Sequence, residues 1–226
     1  MIAFKPYIID TFYYGTVIIQ PRVEPIYNSI NFNLHIADYA EILCSVNEGS
    51  ICPCEFFSKI LPDEVLLIYI DIIKQLNSFA EIAFDVLSLN LPLSLYGNSF
   101  LIELMTSSKL KFALELNESD IGFMDEYNVR LLGSIPETLE IWLDDFGQKF
   151  SNFDFFTSPK VRVDRIKISK EFFWFIFDNN EKLLKELISA FKSCEINTIV
   201  EGVETEEQFN YVSSLECHMQ GYFFKK

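Results

Sequence analysis

The chain has 226 residues and a formal net charge of -15, and 50% of its residues are hydrophobic. Its length is near that of one α/β barrel, typically about 250 residues, and no Pro/Gly/Ser-rich linker divides it, so we expect one domain over residues 1–226. The acidic charge argues against direct nucleic-acid binding, because an acidic surface repels phosphates. No apolar stretch reaches the roughly 18 residues of a membrane span, and the N-terminus lacks signal-peptide features, so we expect a cytoplasmic protein with no membrane partner.

The five cysteines form no paired CxxC motif, and their odd number favours a reducing compartment. Cys52-Pro53-Cys54 could hold a soft metal, but a zinc site needs more ligands at suitable spacing. Buried or idle thiols are the simpler interpretation.

In chain order, the first predicted elements are two strands and a helix. The segments GTVIIQPRVEP and FNLHIADYAEIL are interpreted as the strands, with Glu41 at or near the end of the second. The segment EFFSKILPDEVLLIYIDIIKQLNS has apolar residues at helical spacing, and Pro62 indicates that its helix starts near Asp63.

The next elements are short apolar runs that carry polar residues at or near their ends. The runs are VLSLN, KFALE, IWLDD, RIKIS and NTIVE, and the polar residues are Asn90, Glu115, Asp144, Asp145, Lys167 and Glu201. Positions 90, 115, 144, 167 and 201 lie 25, 29, 23 and 34 residues apart, about the length of one βα unit, which fits successive units of either a barrel or a doubly wound sheet. A helix in NNEKLLKELISAFKSC, capped by Asn179 or Asn180, fits between the last two runs. In α/β barrels, catalytic residues lie at the carboxyl ends of the parallel strands, so these polar residues are candidates for an active site.

Carboxylates and a carboxamide are ligands that Mg2+ or Mn2+ selects. One or two such ions fit five of these residues, namely Glu41, Asn90, Glu115, Asp144 and Asp145. Lys167 and Glu201 would then position or deprotonate a water, and two metals would clamp a phosphodiester for in-line attack. Strand-end acids also serve as helix caps and solvated loop charges, so the residue types alone leave both interpretations open.

Seven longer segments of the chain are distinctive, namely IIQPRVEP, LSLNLP, LELNES, LDDFG, DRIKIS, IVEGVETEEQF and MQGYFF, and Glu41-Ile42-Leu43 forms a further triplet. Their order and spelling resemble the EAL family of bacterial cyclic-di-GMP phosphodiesterases, with Glu41-Ile42-Leu43 where the Glu-Ala-Leu triplet would be. This resemblance implies a single (βα)8-type TIM barrel with one irregular strand and a shortened C-terminus.

The resemblance also implies roles for individual residues. It makes Lys167 and Glu201 the groups that act on the attacking water, and it makes Gln20, Glu118 and Gln220 contacts of the substrate or of the loop after the aspartate pair. It makes the metal ligands Glu41, Asn90, Glu115, Asp144 and Asp145.

Three departures from the family pattern touch this site. Where the family has an arginine that grips a substrate phosphate, the chain has Ser45, which should cost roughly 2 kcal/mol or more of binding. Where the family has Lys-Ile-Asp, the chain has Ser169, which removes a charge that offsets the cations. In the loop after the aspartate pair, Lys149 replaces a glycine.

These departures favour a degenerate regulator that binds a protein partner. Stand-alone proteins of this type include enterobacterial regulators that block DNA binding by the flagellar master transcription factor. We therefore expect a DNA-binding transcriptional regulator as partner, repression of motility, weak or absent cyclic-di-GMP binding, and no required cofactor. The alternatives are a Mg2+- or Mn2+-dependent phosphodiesterase that produces linear pGpG and a non-hydrolysing cyclic-di-GMP sensor.

A candidate docking surface is the apolar run that follows Ser169. A helix turns six consecutive apolar residues to all sides, so a core face buries only about half of them. We predict partner binding through Phe172, Phe173, Trp174 and Phe175, and the competing interpretation is that neighbouring elements bury this cluster.

Overall fold

The computed structural model describes residues 2–29, 36–117, 120, 125–148 and 161–225. In this part of the chain, nine strands form one sheet. They are β1 (Tyr7–Thr11), β2 (Gly15–Asn28), β3 (Tyr39–Val46), β4 (Val86–Leu89), β5 (Phe112–Asn117), β6 (Glu140–Phe146), β7 (Arg165–Ile168), β8 (Asn197–Val200) and β9 (His218–Met219). The strands predicted from the five polar-ended runs are all present.

The sheet closes into an eight-stranded barrel, with β1 added outside it. Strands β3 to β9 pair in parallel in chain order, and β2 closes the barrel by pairing antiparallel with both β3 and β9. The expected TIM barrel is therefore confirmed, and its one irregular strand is the reversed β2. Strand β1 pairs only with β2, through a hairpin that the sequence did not indicate.

The described residues also form six helices, which cover the outside of the barrel. They are α1 (Pro53–Lys59), α2 (Pro62–Ser78), α3 (Ser99–Thr106), α4 (Glu126–Gly133), α5 (Lys170–Ser193) and α6 (Glu206–Ser213). Pro62 occupies the first turn of α2, where a missing N–H costs nothing, so the helix begins one residue before the predicted start. The predicted cap near Asn180 falls on a break in α5, where its φ of -162° and ψ of 74° are not helical. No helix in the described ranges has the length and apolar character needed to cross a membrane.

The barrel interior begins with an apolar layer at the amino ends of the strands. This layer contains Ile26, Val86, Ala113, Trp142 and Ile199. Below it, the Arg165 guanidinium lies 4.1 Å from the centre of the Tyr39 ring and pairs with Glu140 at 2.9 Å. At this end the Arg165 and Glu140 charges pair with each other, whereas the polar residues predicted from the sequence lie toward the carboxyl end.

Candidate active site

A fully buried lysine occupies the centre of the barrel near the carboxyl ends of its strands. The Lys167 Nζ atom lies 2.9 Å from Asp144 Oδ1, 3.0 Å from Glu201 Oε1, 3.1 Å from Glu41 Oε2 and 3.3 Å from Glu115 Oε1. We call these five residues the carboxylate cluster. Its acids come from β3, β5, β6 and the end of β8, so sequence reasoning correctly grouped residues that lie up to 160 positions apart.

Strand alternation explains how Lys167 reaches the centre. Side chains two residues apart on a strand face the same side, so Arg165, Lys167 and Ser169 all point into the barrel, and all three are buried. Glu41 is the third residue of β3, so the prediction that it lies at or near the end of its strand was wrong, and its side chain contacts Lys167 from that position. The cluster is therefore a layer of the barrel interior.

Two amides hold Glu41 in place. Asn90, directly after β4, donates from Nδ2 to Glu41 Oε1 at 2.6 Å. Gln220, directly after β9, donates from Nε2 to Glu41 Oε2 at 3.2 Å. Both residues thus lie where the sequence placed them, and both orient a carboxylate of the cluster.

The two adjacent aspartates point in different directions. Asp144 faces Lys167, whereas Asp145 accepts hydrogen bonds from Asn117 at 3.0 Å and from Gln148 at 2.8 Å. The pairing of β6 with β7 shifts register between Leu143 and Phe146, and Asp145 has a φ of +60°. This left-handed conformation suits aspartate better than most residues, and it redirects the side chain at the end of the strand.

The charges of the cluster act strongly on one another. Burial opposes the charge of Lys167, but Asp144 and the other carboxylates outweigh it and raise the lysine's pKa well above its usual range. Burial also opposes the charge of Glu41, but Lys167 and three side-chain hydrogen bonds lower the pKa of that carboxyl. These two groups therefore form a charged pair at neutral pH.

The pKa values of two other acids of the cluster, Glu115 and Glu201, are raised. Burial, and then the nearby Glu41 charge, raises the pKa of Glu115 well above its usual range. Burial raises the pKa of Glu201 to about 8, despite the opposing effect of Lys167. A carboxyl group with a pKa near neutral can exchange a proton during a reaction, as a general base or acid must.

The donor atoms in and beside the cluster suit a hard cation. Glu115 Oε2 and Gln220 Oε1 are buried and have no hydrogen-bond partner among the described residues. A cation would satisfy such oxygens and offset the raised pKa values, and it would supply an activated water when bound. Within the described ranges, no three acidic, histidine or cysteine side chains are arranged as a ready metal site. One carboxylate oxygen of each acid in the cluster contacts Lys167 Nζ, so a cation at that point would need the lysine to move.

The remaining predicted site residues lie elsewhere. Gln20 Nε2 donates to the backbone oxygens of Phe4 and Pro21, and Gln20 lines a cavity of about 670 Å³ that contains none of the carboxylate cluster. Its role in substrate binding stays a prediction. Glu118 and Lys149 lie outside the described residues.

The two serines that depart from the family pattern, Ser45 and Ser169, form hydrogen bonds with backbone groups. Ser169 is buried and accepts a hydrogen bond from the Phe172 N–H at 3.4 Å, which caps the start of α5. The Ser45 hydroxyl donates to the Gln20 backbone oxygen at 3.5 Å. Neither contact involves the carboxylate cluster.

Sequence reasoning missed Arg22, which lies on the same face of the barrel wall as Ser45. Gln20 pairs with Ser45, Arg22 with Leu43 and Glu24 with Glu41, so Arg22 is a diagonal neighbour of both Ser45 and Glu41. Its side chain is exposed and forms no ion pair with any residue that the structure describes. The alternation of β2 was the signal that could have found it. We call Gln20, Arg22, Leu43 and Ser45 the rim.

The predicted docking residues differ in exposure. Phe173 is fully buried in the core between α5 and the barrel, and Phe172 and Trp174 are half-buried. Trp174 also donates from Nε1 to the Gly202 backbone oxygen at 2.8 Å. Phe175 is 65% exposed and is the member of the four that is open to solvent. A partner-binding role for this run stays a prediction.

The hairpin that joins β1 and β2 exposes more apolar surface than α5 does at this run. Phe12 is 77% exposed and Tyr13 is 61% exposed, and their rings contact each other edge to face. Ile8 and Ile18, which are also exposed, pair across the two strands and so share one face. We call Ile8, Phe12, Tyr13 and Ile18 the hairpin patch.

The fold and the carboxylate cluster define a TIM-barrel protein with an acidic centre at the carboxyl ends of its strands. Residues 25–226 match the EAL domain family, so the chain belongs to that family.

Relatives and solved structures agree with this assignment. The chain is 32% identical over 127 residues to an uncharacterised signalling protein of Caulobacter vibrioides, which covers 53% of this chain and 15% of that protein. It is 30% identical over 125 residues to the probable cyclic di-GMP phosphodiesterase PdeG of Escherichia coli, covering 54% and 24%. The matches thus span less than a quarter of either relative.

Two solved structures share the fold at low identity. Klebsiella pneumoniae BlrP1, in a complex with manganese and cyclic-di-GMP, has a TM-score of 0.73 at 18% identity, with 97% of this chain and 58% of that chain covered. The EAL-like domain protein YdiV has a TM-score of 0.71 at 14% identity, with 91% of each chain covered.

Proposed function

We propose that this chain is a degenerate EAL-domain regulator that acts by binding a protein partner and hydrolyses cyclic-di-GMP weakly or not at all. The observation that carries the proposal is the use of Ser45 and Ser169 described above. Ser169 stands where the family has a carboxylate, and its hydroxyl caps α5. Ser45 stands where the family has a phosphate-binding arginine, and its hydroxyl bonds to backbone.

These two changes weaken the reaction at different steps. A serine lacks the planar, charged, two-pronged donor that a phosphate prefers, so loss of the arginine lowers substrate affinity. A serine also lacks the charge that would offset bound cations and orient the attacking water, so loss of the aspartate lowers the rate. Together they leave the carboxylate cluster without two of its functional neighbours.

Charge and exposed apolar surface support a protein partner. The formal charge of -15 favours a partner whose own surface is basic, as that of a DNA-binding transcriptional regulator is. The hairpin patch and Phe175 supply exposed aromatic and aliphatic side chains, which are the residue types that anchor protein interfaces. By family resemblance, the proposed partner is the flagellar master regulator, and the proposed outcome is weaker DNA binding and lower motility.

A DNA-binding assay tests the partner directly. Purified chain is titrated into a complex of the host's flagellar master regulator with its promoter DNA, and the fraction of bound DNA is measured. We expect the bound fraction to fall as the chain is added, and to fall less with a Phe12→Ser/Tyr13→Ser variant. Unchanged DNA binding at saturating concentrations of a folded chain would exclude this regulator as the partner.

The second candidate is a slow, metal-dependent cyclic-di-GMP phosphodiesterase. The retained carboxylate cluster favours it, because the unsatisfied oxygens of Glu115 and Gln220 suit a divalent cation. Calorimetric titration with cyclic-di-GMP in Mg2+ or Mn2+, followed by a turnover assay, separates the candidates. No heat and no product support the regulator, product establishes the enzyme, and heat without product indicates a sensor.

A further inference from the structure

Two cysteines lie side by side at the entrance of α1. Cys52 and Cys54 flank Pro53, both are exposed, and their Sγ atoms are 2.8 Å apart. The contact places two thiols close enough to share a proton and, after loss of two electrons, to form a bond. The function proposed above makes no use of this pair.

We propose that Cys52 and Cys54 form a thiol–disulfide exchange site that low-molecular-weight disulfides, such as oxidised glutathione, convert reversibly to an intramolecular disulfide. The proposal rests on the juxtaposition of the two exposed sulfur atoms, and it stands whether or not the chain is a regulator. It assigns a redox reaction to a part of the protein outside the carboxylate cluster.

A metal site explains the pair less well. A structural zinc ion takes four ligands, and no group of three histidine, cysteine or acidic side chains in the described ranges is arranged to hold an ion. Two thiols without further ligands are sufficient for a disulfide. The chemistry of the pair therefore favours exchange.

The two thiols differ in pKa, which gives them different roles in the exchange. A hydrogen bond from the Cys54 thiol, and then the backbone N–H groups of Glu55 and Cys54, lower the pKa of Cys52. The same hydrogen bond raises the pKa of Cys54, which therefore keeps its proton longer. Because the thiolate is the attacking species, Cys52 attacks first and Cys54 resolves the intermediate.

The reaction is balanced in two steps. The Cys52 thiolate attacks one sulfur of oxidised glutathione, which forms a mixed disulfide and releases one glutathione thiolate. Cys54 then loses its proton to water and attacks Cys52 Sγ, which forms the intramolecular bond and releases the second glutathione. The dithiol is oxidised by two electrons, and one glutathione disulfide is reduced to two thiols.

The other cysteines provide internal controls. Burial raises the pKa values of Cys44 and Cys217 to about 12, so both thiols stay protonated, and Cys217 is also buried from solvent. Cys194 is exposed, and no contact with another thiol is found among the described residues. It can form a mixed disulfide but has no neighbour to resolve it.

Oxidation of the pair would change the shape of a neighbouring cavity. Cys54 and Pro53 line a cavity of about 320 Å³ together with Arg22, Leu43 and Asn90. Closing the disulfide pulls Cys54 toward Cys52 and so alters the wall of this cavity. The redox state of the pair would therefore affect a cavity that two rim residues, Arg22 and Leu43, also line.

Equilibration of the full chain in glutathione buffers tests the proposal. The protein is incubated at increasing ratios of oxidised to reduced glutathione and quenched in acid, and its free thiols are alkylated before intact-mass and fragment analysis. We expect the wild type to lose two hydrogens at residues 52–54 and to bind one glutathione at Cys194. The C54S variant should retain one glutathione at Cys52, and C194S should still form the disulfide.

Other results would overturn the proposal. Separate glutathione adducts on both Cys52 and Cys54, or no change at either when Cys194 is fully modified, would show that the two thiols do not act together. Circular dichroism of each variant checks that it is folded, and C52S/C54S supplies the unreactive reference.

Discussion

The carboxylate cluster and the rim occupy the same end of the barrel but are bonded in different ways. Every acid of the cluster contacts Lys167, and Glu41 is also held by Asn90 and Gln220. On the rim, Gln20 and Ser45 hydrogen-bond only to backbone oxygens within the described part of the chain. The acids of the cluster are therefore tied to one another through Lys167, and we expect the rim residues to tolerate substitution better.

For the degenerate regulator proposed above, this difference accounts for retention of the cluster beside altered rim residues. Removing one partner of a buried ion pair leaves an uncompensated charge and is strongly destabilising, whatever the pair's net contribution. Selection for folding alone would then retain the cluster. A preserved ligand set is weak evidence for catalysis when its members are each other's bonding partners.

The largest expected effect comes from removing the central cation. Lys167→Met would leave the charged, buried Glu41 without its counter-charge and remove the central contact of the other three acids, and we expect it to lower the free energy of unfolding by roughly 3–5 kcal/mol. Urea unfolding followed by circular dichroism measures this change. The matched control is Lys59→Met, which removes an exposed pair with Glu55 and should have a far smaller effect on stability. Equal costs would contradict a structural role for the cluster.

The next effect is a gain of function at the altered positions. The double variant Ser45→Arg/Ser169→Asp restores the charges that the family has there, and we expect cyclic-di-GMP affinity to rise by about 30-fold, the equivalent of a charge-assisted bond of about 2 kcal/mol. Aspartate caps a helix as well as serine does, so α5 should stay intact. Calorimetry with Mg2+ measures the gain. If affinity and turnover are unchanged, the residues at positions 45 and 169 do not account for weak binding and hydrolysis of cyclic-di-GMP.

The sequence was informative where local pattern determines structure. The spacing of strands and helices predicted a barrel or a doubly wound sheet, and the resemblance to the EAL family selected the barrel and assigned Lys167 and its four acids to one site. The antiparallel hairpin of β1 was missed because Tyr7–Thr11 is a short edge strand with no turn motif that stood out. Strand alternation alone turns Asp144 and Asp145 to different sides, but the register shift between β6 and β7 and the φ of +60° at Asp145 are not encoded in the local sequence.

Exposure was the other property that sequence could not give. The run from Phe172 to Phe175 and the hairpin patch have similar composition, yet packing against the barrel buries Phe173 completely and leaves Phe12 largely exposed. Arg22 was overlooked for a related reason. Its position beside Glu41 and Ser45 follows from the register of β2 with β3, a long-range pairing.

Proton uptake by the cluster gives a third test. Burial raises the pKa of Glu201 from 4.5 to about 8, so the folded protein holds a proton there that the unfolded chain releases above pH 4.5. Stability from this group is present below pH 4.5 and is lost as the pH rises toward 8. We expect urea midpoints to fall less steeply over this window in Glu201→Gln than in the wild type. Parallel profiles would show that Glu201 does not titrate there.

The smallest effect is expected on the rim, and a pair of amino-acid changes compares it with the cluster directly. Ser45→Ala removes a hydroxyl whose described hydrogen bond is 3.5 Å long, and we expect the free energy of unfolding to change by less than about 0.5 kcal/mol. Asn90→Ala removes a 2.6 Å hydrogen bond to the charged Glu41, and we expect a cost of about 1.5–3 kcal/mol. Both changes delete a polar group at the same end of the barrel, so their difference measures how far bonding to the cluster, rather than position in the fold, constrains a residue. Equal costs would mean that the rim is as tightly constrained as the interior, and the altered serine would then need a functional explanation of its own.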